Sequence, residues 1–367
     1  MLFAIAIILF ILLVVVHEFG HFIVARRNGV EVEEFGVGFP PRLLSYKRKG
    51  DNTVYSINLL PLGGFVQLKG ESDTDKRKGS FGSASLKVKA KIMLAGVAMN
   101  LATAYVLFLG LSLVGMPQVI PHQYQVNSDA KIVRDYENKG IVKVGQVSSG
   151  SPAEKAGLKS GDQIVSLDDQ KIMTPDEMVT FTKANAGKEI KITYVRDGVT
   201  DAKFVTLNPE NKSKSGYLGV AAESAEQGVQ LVRSTWSAPI VAGGLMKQLA
   251  VMNLQGIGSL VSDVSSANFK EAGDKVTGPV GIVRLLKTNS ALGVGVVLWL
   301  IAFISLVLAV MNLLPIPALD GGKLYTTLIY RALKKELTPK AERIIYGSSM
   351  GALLLLFILI TYIDVRR

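Results

Sequence analysis

The 367-residue chain has no cysteine and only three histidines. The first absence excludes disulfides and any thiolate metal site, so a metal could be held only by His, Asp or Glu. Charge is also sparse, with charged residues at 19% against 49% hydrophobic. That balance suits a membrane protein, although the charged, glycine-rich middle could not lie in lipid, so the chain must alternate between media. No nucleic-acid-binding motif accompanies the net charge of +11, and much of the excess lies beside apolar runs, so it reads as membrane topology.

Four segments are long and apolar enough to cross a bilayer: Leu2 to Ala25, Ile92 to Val114, Leu292 to Leu314, and Ser348 to Ile363 with its flanks. The first lacks a basic residue ahead of it and a small-residue cleavage site before Arg26-Arg27, which argues against a removable signal peptide. Arg26 to Lys91 holds 13 Lys and Arg against 7 Asp and Glu, and Pro315 to Ile345 holds 6 against 3. Both loops are therefore expected in the cytoplasm, and the middle region outside. Ala238 to Val261 is interrupted by Lys247, Gln248, Asn253, Gln255 and glycines. It reads as an interfacial or packing helix rather than a fifth span.

Two of the three histidines stand in His17-Glu18-Phe19-Gly20-His21, inside the first apolar run. Four residues apart on a helix, their imidazoles share one face, which is a zinc-binding spacing. Glu18 would sit beside the metal without ligating it, as suits a general base for metal-bound water. The plainer reading is a structural polar cluster. An ionised Glu at mid-membrane costs about 2.5 to 3.5 kcal/mol on insertion scales, which favours a functional reading. A second signal lies in Asn312-Leu-Leu-Pro-Ile-Pro-Ala-Leu-Asp-Gly-Gly322, where Pro315 and Pro317 must break the third span. Spans one and three run in the same sense, so Asp320 falls on the membrane side of His17 and His21 and could complete a two-His, one-carboxylate site. Its other reading is a capping Asp at a helix start.

The first loop contains two β-prone runs, Thr53 to Leu60 and Gly64 to Lys69, around Pro61-Leu62-Gly63. They read as a hairpin or re-entrant β element, either an ordinary surface hairpin or one offering an edge strand to an extended substrate. A compact α+β module spans about Val142 to Ala222. Ser151 to Val165 predicts a short helix, a glycine turn and a buried strand. Thr174-Pro-Asp-Glu177 is a capping box opening a helix to about Asn185; Glu189 to Val195 and Ala202 to Leu207 are strands joined at Asp197-Gly198. This order resembles a circularly permuted bacterial PDZ domain, in which Tyr217, Leu218, Gly219 and Val220 would form the carboxylate-binding loop. A small β module with no peptide ligand is the alternative.

Together, the His-Glu-Phe-Gly-His span, the Asn312 to Gly322 segment, Thr277-Gly-Pro-Val-Gly-Ile282 and the PDZ-like module resemble the site-2 protease family, in its bacterial RseP-type branch. The resemblance covers nearly the whole chain. It implies one Zn2+ per chain held by His17, His21 and Asp320, with Glu18 as catalytic base. It further implies substrate contacts by Asn312, by Gly63, Gly64, Phe65 and Val66 of the loop strand, and by Asn100. The chain departs from the family in having one PDZ-like domain rather than two in tandem. Ala95-Gly-Val-Ala-Met-Asn100 also lacks the usual proline.

The expected fold is a polytopic α-helical membrane protein with four transmembrane helices, a membrane-associated β-hairpin loop and an inserted extracytoplasmic α+β PDZ-like domain. Its divisions are a first helix at 1–25, a cytoplasmic loop at 26–91, a second helix at 92–116 and an extracytoplasmic region at 117–222. Amphipathic linker helices follow at 223–291, a third helix at 292–314, a cytoplasmic loop with the third ligand at 315–345 and a last helix at 346–364. The resemblance implies an intramembrane zinc endopeptidase of the bacterial inner membrane. Expected partners are the bilayer, single-pass substrates such as anti-sigma factors or remnant signal peptides, and peptide tails at the PDZ-like domain, without nucleic acid. Two rival readings are a non-catalytic membrane adaptor and a membrane-anchored protease for soluble proteins; the second conflicts with a motif buried in a span.

Overall fold

The computed structural model describes residues 2–47, 49–71, 75–134, 142–172, 174–196, 198–210, 216–224, 229–266, 268, 273, 276–290 and 292–366. The chain divides into two compact units, 1–133 with 231–367, and 134–230.

The first unit is helical where the chain is apolar. Four of its helices have the length and composition to cross a membrane: α1 (Leu2–Arg27), α2 (Leu86–Val114), a third at Val294–Leu313 and a fourth at Pro339–Arg366. The second and fourth start earlier than their apolar runs. Ser85 caps α2, its hydroxyl accepting from Val88 N, and the turns that follow, with Lys87, Lys89 and Lys91, extend the helix beyond its apolar stretch. Helix α2 is the centre of the bundle, packed against α1, the third span and the helix at Ala238–Ser265. Gly20 of α1 permits the closest approach: a Cβ there would lie 2.6 Å from Ala95 O and 2.7 Å from Met99 Cγ.

Between α1 and α2 lie β1 (Val32–Lys47) and β2 (Val54–Leu68). The expected hairpin between 53–60 and 64–69 is not what forms. Both runs belong to β2, and the β1 segment 32–37 lies between them, with Val32 opposite Leu68 and Val37 opposite Gly64 on one side. On its other side Glu34 faces Val54 and Val37 faces Ile57, while Tyr46 pairs with Tyr55 beyond. The physical reason is that Val32 to Gly38 alternates buried and less buried positions and can pair along both edges. Buried Glu34 ties the layers together, accepting from Ser56 Oγ at 2.6 Å and from the Arg42 guanidinium. The segment 64–68 is left with one paired edge.

After α2 come the short strands β3 (Met116–Pro117) and β4 (Lys131–Arg134), joined in one sheet by β11 (Leu231–Arg233). Helix α5 (Ala238–Ser265) follows; Ala238, Val241, Ala242, Leu245 and Leu249 form its buried stripe. Helix α6 (Pro279–Ser290) precedes α7 (Val294–Leu313). Leu314, extended as a residue before proline must be, ends α7. The chain then turns, with Leu319 N donating to Ile316 O at 2.8 Å, into α8 (Asp320–Ala332). Helix α9 (Pro339–Arg366) is the last span, and no residue of its apolar window is buried.

The second unit is built on a six-stranded sheet, five strands in the order β10 (Val220–Ser224), β5 (Val142–Val147), β6 (Gln163–Leu167), β8 (Glu189–Arg196) and β9 (Val199–Thr206), and β7 (Gln170–Lys171) paired to β6 off that path. Helix α3 (Pro152–Lys155) starts at Ser151. Helix α4 (Pro175–Ala184) starts at Thr174, whose hydroxyl accepts from Glu177 N at 3.1 Å. Ile164, Leu167, Ile190, Ile192 and Leu207 are fully buried in its core. Gly198 opens β9; Asp197, its expected partner in the turn, lies outside the described residues.

Candidate metal centre

His17 and His21 project from one face of α1 toward α2, and the break after α7 brings Asp320 to them from 299 positions further along the chain than His21, counting 320 − 21. His17 Nε2 and His21 Nε2 each lie 3.1 Å from Asp320 Oδ2, and 3.2 Å from each other. Two imidazole nitrogens and a carboxylate oxygen thus form a nearly equilateral triangle. With metal bonds of about 2.0 to 2.1 Å, a tetrahedral zinc spaces its ligand atoms by about 3.3 Å. The donor set and spacing fit zinc with one position left over.

Helix α2 supplies the other half of the site through one stripe at i, i+4 and i+8. His21 Nδ1 donates to Ile92 O at 2.7 Å. Gly96 leaves room for both rings: a Cβ there would lie 2.4 Å from His21 Nε2 and 2.5 Å from His17 Cε1. Asn100, fully buried, places its Nδ2 3.2 Å from His17 Nδ1, while its Oδ1 has no partner among the described residues. Ser305 of α7 donates to the Asn100 carbonyl at 2.9 Å and fastens this stripe to the third span.

A cleft of about 320 Å³ opens on His21 and Asp320 and is lined also by Glu18, Phe65, Val66 and Lys323 among others. Glu18 makes no hydrogen bond to a described residue. A Cβ on Gly64 would lie 3.5 Å from Glu18 Cγ, so the one-edged segment 64–68 runs directly beside the glutamate. Gly63 lies against Phe39 and Val14 in the same way.

The structure does not bring every expected residue here. Asn312 Nδ2 donates to Leu308 O of its own helix at 3.0 Å, and the residue does not line the cleft, although Gly321 packs on its backbone carbonyl. Asn100, expected at the substrate, has no exposed surface and touches a candidate ligand instead. His122 is exposed and its carbonyl accepts from Gln248 of α5. Gly96 and the Ile92 carbonyl were not singled out from sequence. Their spacing on α2 matches that of the histidines, but only the pairing of α1 with α2 gives it meaning.

In the second unit Leu218 is buried and its carbonyl accepts from Ala153 N, while those of Tyr217 and Gly219 accept from Asn208 N and Ser148 N. Val220 begins β10 opposite Val147. Strand β10 is an edge of the sheet, and α4 packs beside it.

The profile of Peptidase family M50 matches residues 5–358. A Clostridium acetobutylicum protein assigned as a zinc metalloprotease is 31% identical over 363 residues, covering 98% of this chain and 96% of its own. The regulator of sigma-W protease RasP of Bacillus subtilis is 27% identical over 445 residues, covering 98% and 97%. Among solved structures, the PDZ domain of an SdrC-like protein from Listeria monocytogenes aligns at a TM-score of 0.21 and 21% identity, over 23% of this chain and 87% of its own.

Proposed function

Because the chain belongs to Peptidase family M50, and is thus a multi-pass bacterial membrane zinc metalloprotease of the site-2 type, we propose that its inserted unit is a PDZ-like domain and that it cleaves peptide bonds in transmembrane segments of single-pass proteins, with His17, His21 and Asp320 as zinc ligands and Glu18 as base. The observation that carries this reading is the triangle of donor atoms inside the first span, with a glutamate on the same cleft. Zinc bound there supplies a Lewis acid and a water acidified toward neutrality.

The remaining steps belong to this chain's residues. Glu18, without a hydrogen-bond partner among the described residues, is free to accept a proton from water and return it to the leaving amine. The unpaired edge of segment 64–68, with Gly63, Gly64, Phe65 and Val66, holds an unwound substrate as an added strand. A helix has no free backbone groups to offer a protease, so strand addition also presents the scissile bond. Asn100 acts on a ligand rather than on substrate. If Nε2 of His17 faces zinc, the ring proton sits on Nδ1, and the Asn100 amide, turned end for end, accepts it through Oδ1. Asn312 is left as a candidate substrate contact at the break of α7. Anti-sigma factors and remnant signal peptides are the proposed substrates, and the edge of β10 beside α4 is the proposed seat for a peptide tail. The lysine and arginine excess in 26–91 and 315–345 supports a cytoplasmic placement of both loops.

The test is cleavage of a model transmembrane substrate by the detergent-solubilised protein. Glu18→Gln should keep zinc and lose turnover by about 10²-fold or more, as expected for loss of a general base. Substantial cleavage by this variant would remove Glu18 from its role.

A further inference from the structure

A second concavity, of about 610 Å³, lies further along the same face of α8 as the metal cleft, with Thr327 lining both. Five cations line it, Lys76, Lys89, Arg331, Lys334 and Lys335, against one carboxylate, that of Glu336. They come from separate places in the chain: the loop before α2, the first turns of α2, the end of α8 and the link to α9. Among the described residues, Arg331, Lys334 and Lys335 take part in no ion pair. Basic residues next to spans are ordinary topology signals, and a cation in the last turn of a helix complements its dipole. Neither explains a concave arrangement drawn from four segments.

Lys334 adds a separate observation. It occupies the position after the C-cap of α8, where Lys334 N donates to Arg331 O and Lys335 N to Tyr330 O, both at 3.0 Å. This Schellman turn requires a left-handed residue and ordinarily takes glycine. Lys334 adopts φ +53°. The other left-handed non-glycine residues described are His122, Asp168 and Asp169, types that enter that region more readily than lysine. A lysine held there, at a position that lines the cleft, trades backbone comfort for a cation.

We propose that this cleft is a binding site for a phosphate group, carried by an anionic phospholipid headgroup or by free phosphate. Arg331 offers the planar fork that suits phosphate oxygens, and the lysines add point charges around it. The cleft lies where α2 and α9 leave their apolar stretches, within reach of headgroups, and Leu86, Leu337 and Tyr330 give it an apolar side.

The experiment uses the purified full chain in nanodiscs of phosphatidylcholine, with and without phosphatidylglycerol, counting retained lipid by native mass spectrometry. A separate arm titrates inorganic phosphate into the phosphatidylcholine discs. The variant is Arg331→Gln/Lys334→Gly/Lys335→Gln, and the control is Lys87→Gln/Lys91→Gln, cations near the start of α2 that do not line the cleft. The triple variant should bind at least tenfold more weakly while the control binds like wild type. Lys334→Gly alone should unfold no earlier than wild type in phosphatidylcholine, which shows that weaker binding is not unfolding. Variant-sensitive retention of phosphatidylglycerol alone identifies a headgroup as the source, and variant-sensitive binding of inorganic phosphate identifies free phosphate. Equal binding by wild type and triple variant, equal loss in the control, or binding in neither arm overturns the site.

Discussion

At the residue scale the candidate metal centre depends on atoms that hold His17 and His21 as much as on the proposed ligands themselves. Gly96 is a sharp case: any side chain there must share space with both imidazoles, at 2.4 to 2.6 Å from their atoms. Gly96→Ala should therefore abolish most zinc binding while leaving α2 helical, and metal analysis with circular dichroism separates the two. Asn100 allows a finer test. Asn100→Leu keeps the volume but removes the acceptor for His17 Nδ1, and zinc affinity should fall about 10- to 100-fold, the range for lost partners of metal-bound histidines. Asn100→Asp retains an acceptor and should recover most of that loss; equal zinc affinity in all three proteins would show that Asn100 only fills space. Asp320→Ala should lower zinc content and activity together, whereas His122→Ala should change neither. Full zinc occupancy in the Asp320 variant would overturn the ligand set.

At the scale of elements, two carboxylates tie helices of the first unit in place. Asp364 lies buried near the end of α9 and accepts from Gly281 N of α6 at 2.8 Å. Gly278 and Gly281 form the cradle, since a Cβ at either would lie about 3 Å or less from the carboxylate, at 2.8 and 3.1 Å from Oδ2. The Thr277 to Ile282 motif thus finds its structural use as a dock for the last span, whose apolar window has no buried residue. Asp364→Ala should destabilise the solubilised protein by about 2 kcal/mol, the scale of a hydrogen bond to a charged group. An unchanged Tm in this variant would show that α9 is held by other means.

The other anchor is Asp129, which accepts from Thr235 N and Oγ1 at 2.7 and 2.5 Å and from Ser237 N and Oγ at 3.0 and 2.7 Å, just ahead of α5. The Thr235 hydroxyl, then Ser237, hold its carboxyl well below the usual carboxylate range. A depressed folded-state value stabilises wherever the unfolded carboxyl is ionised, so the anchor is fully present above about pH 5 and weakens as acid protonates it. The Tm gap between wild type and Asp129→Asn should be constant from pH 8 to 6 and narrow below pH 4.

For the whole molecule, the division at 134–230 sets two kinds of stability against each other. The inserted unit has its own core and includes none of the three candidate ligands. Residues 134–230 produced alone should fold without metal and unfold in one urea transition, with a slope of about 1 to 3 kcal/mol/M. Chelation should leave that transition unmoved and lower the Tm of the intact protein, because a ligand bound only to the native state stabilises it. If the inserted unit screens substrates by size, its excision should raise cleavage of a substrate with a bulky external domain and spare a short one. Equal loss for both would assign it a structural part instead.

The sequence by itself determined the elements whose physics is local. Uniform apolarity marked the four spans, the capping box at Thr174 marked α4, Pro315 and Pro317 marked the break in the third span, and the four-residue histidine spacing marked a candidate metal face. It also singled out Asp320, which the structure brings within 3.1 Å of both histidines. Pairing was decided only by the tertiary structure. Whether 53–60 bonds to 64–69 or to 32–37 depends on competing edges that β-propensity cannot rank, since each run is β-prone on its own. The stripe of Ile92, Gly96 and Asn100 is likewise silent in isolation: a carbonyl, a missing side chain and an amide become one half of the candidate metal site only when Gly20 lets α1 and α2 approach closely enough to bring them against His17 and His21.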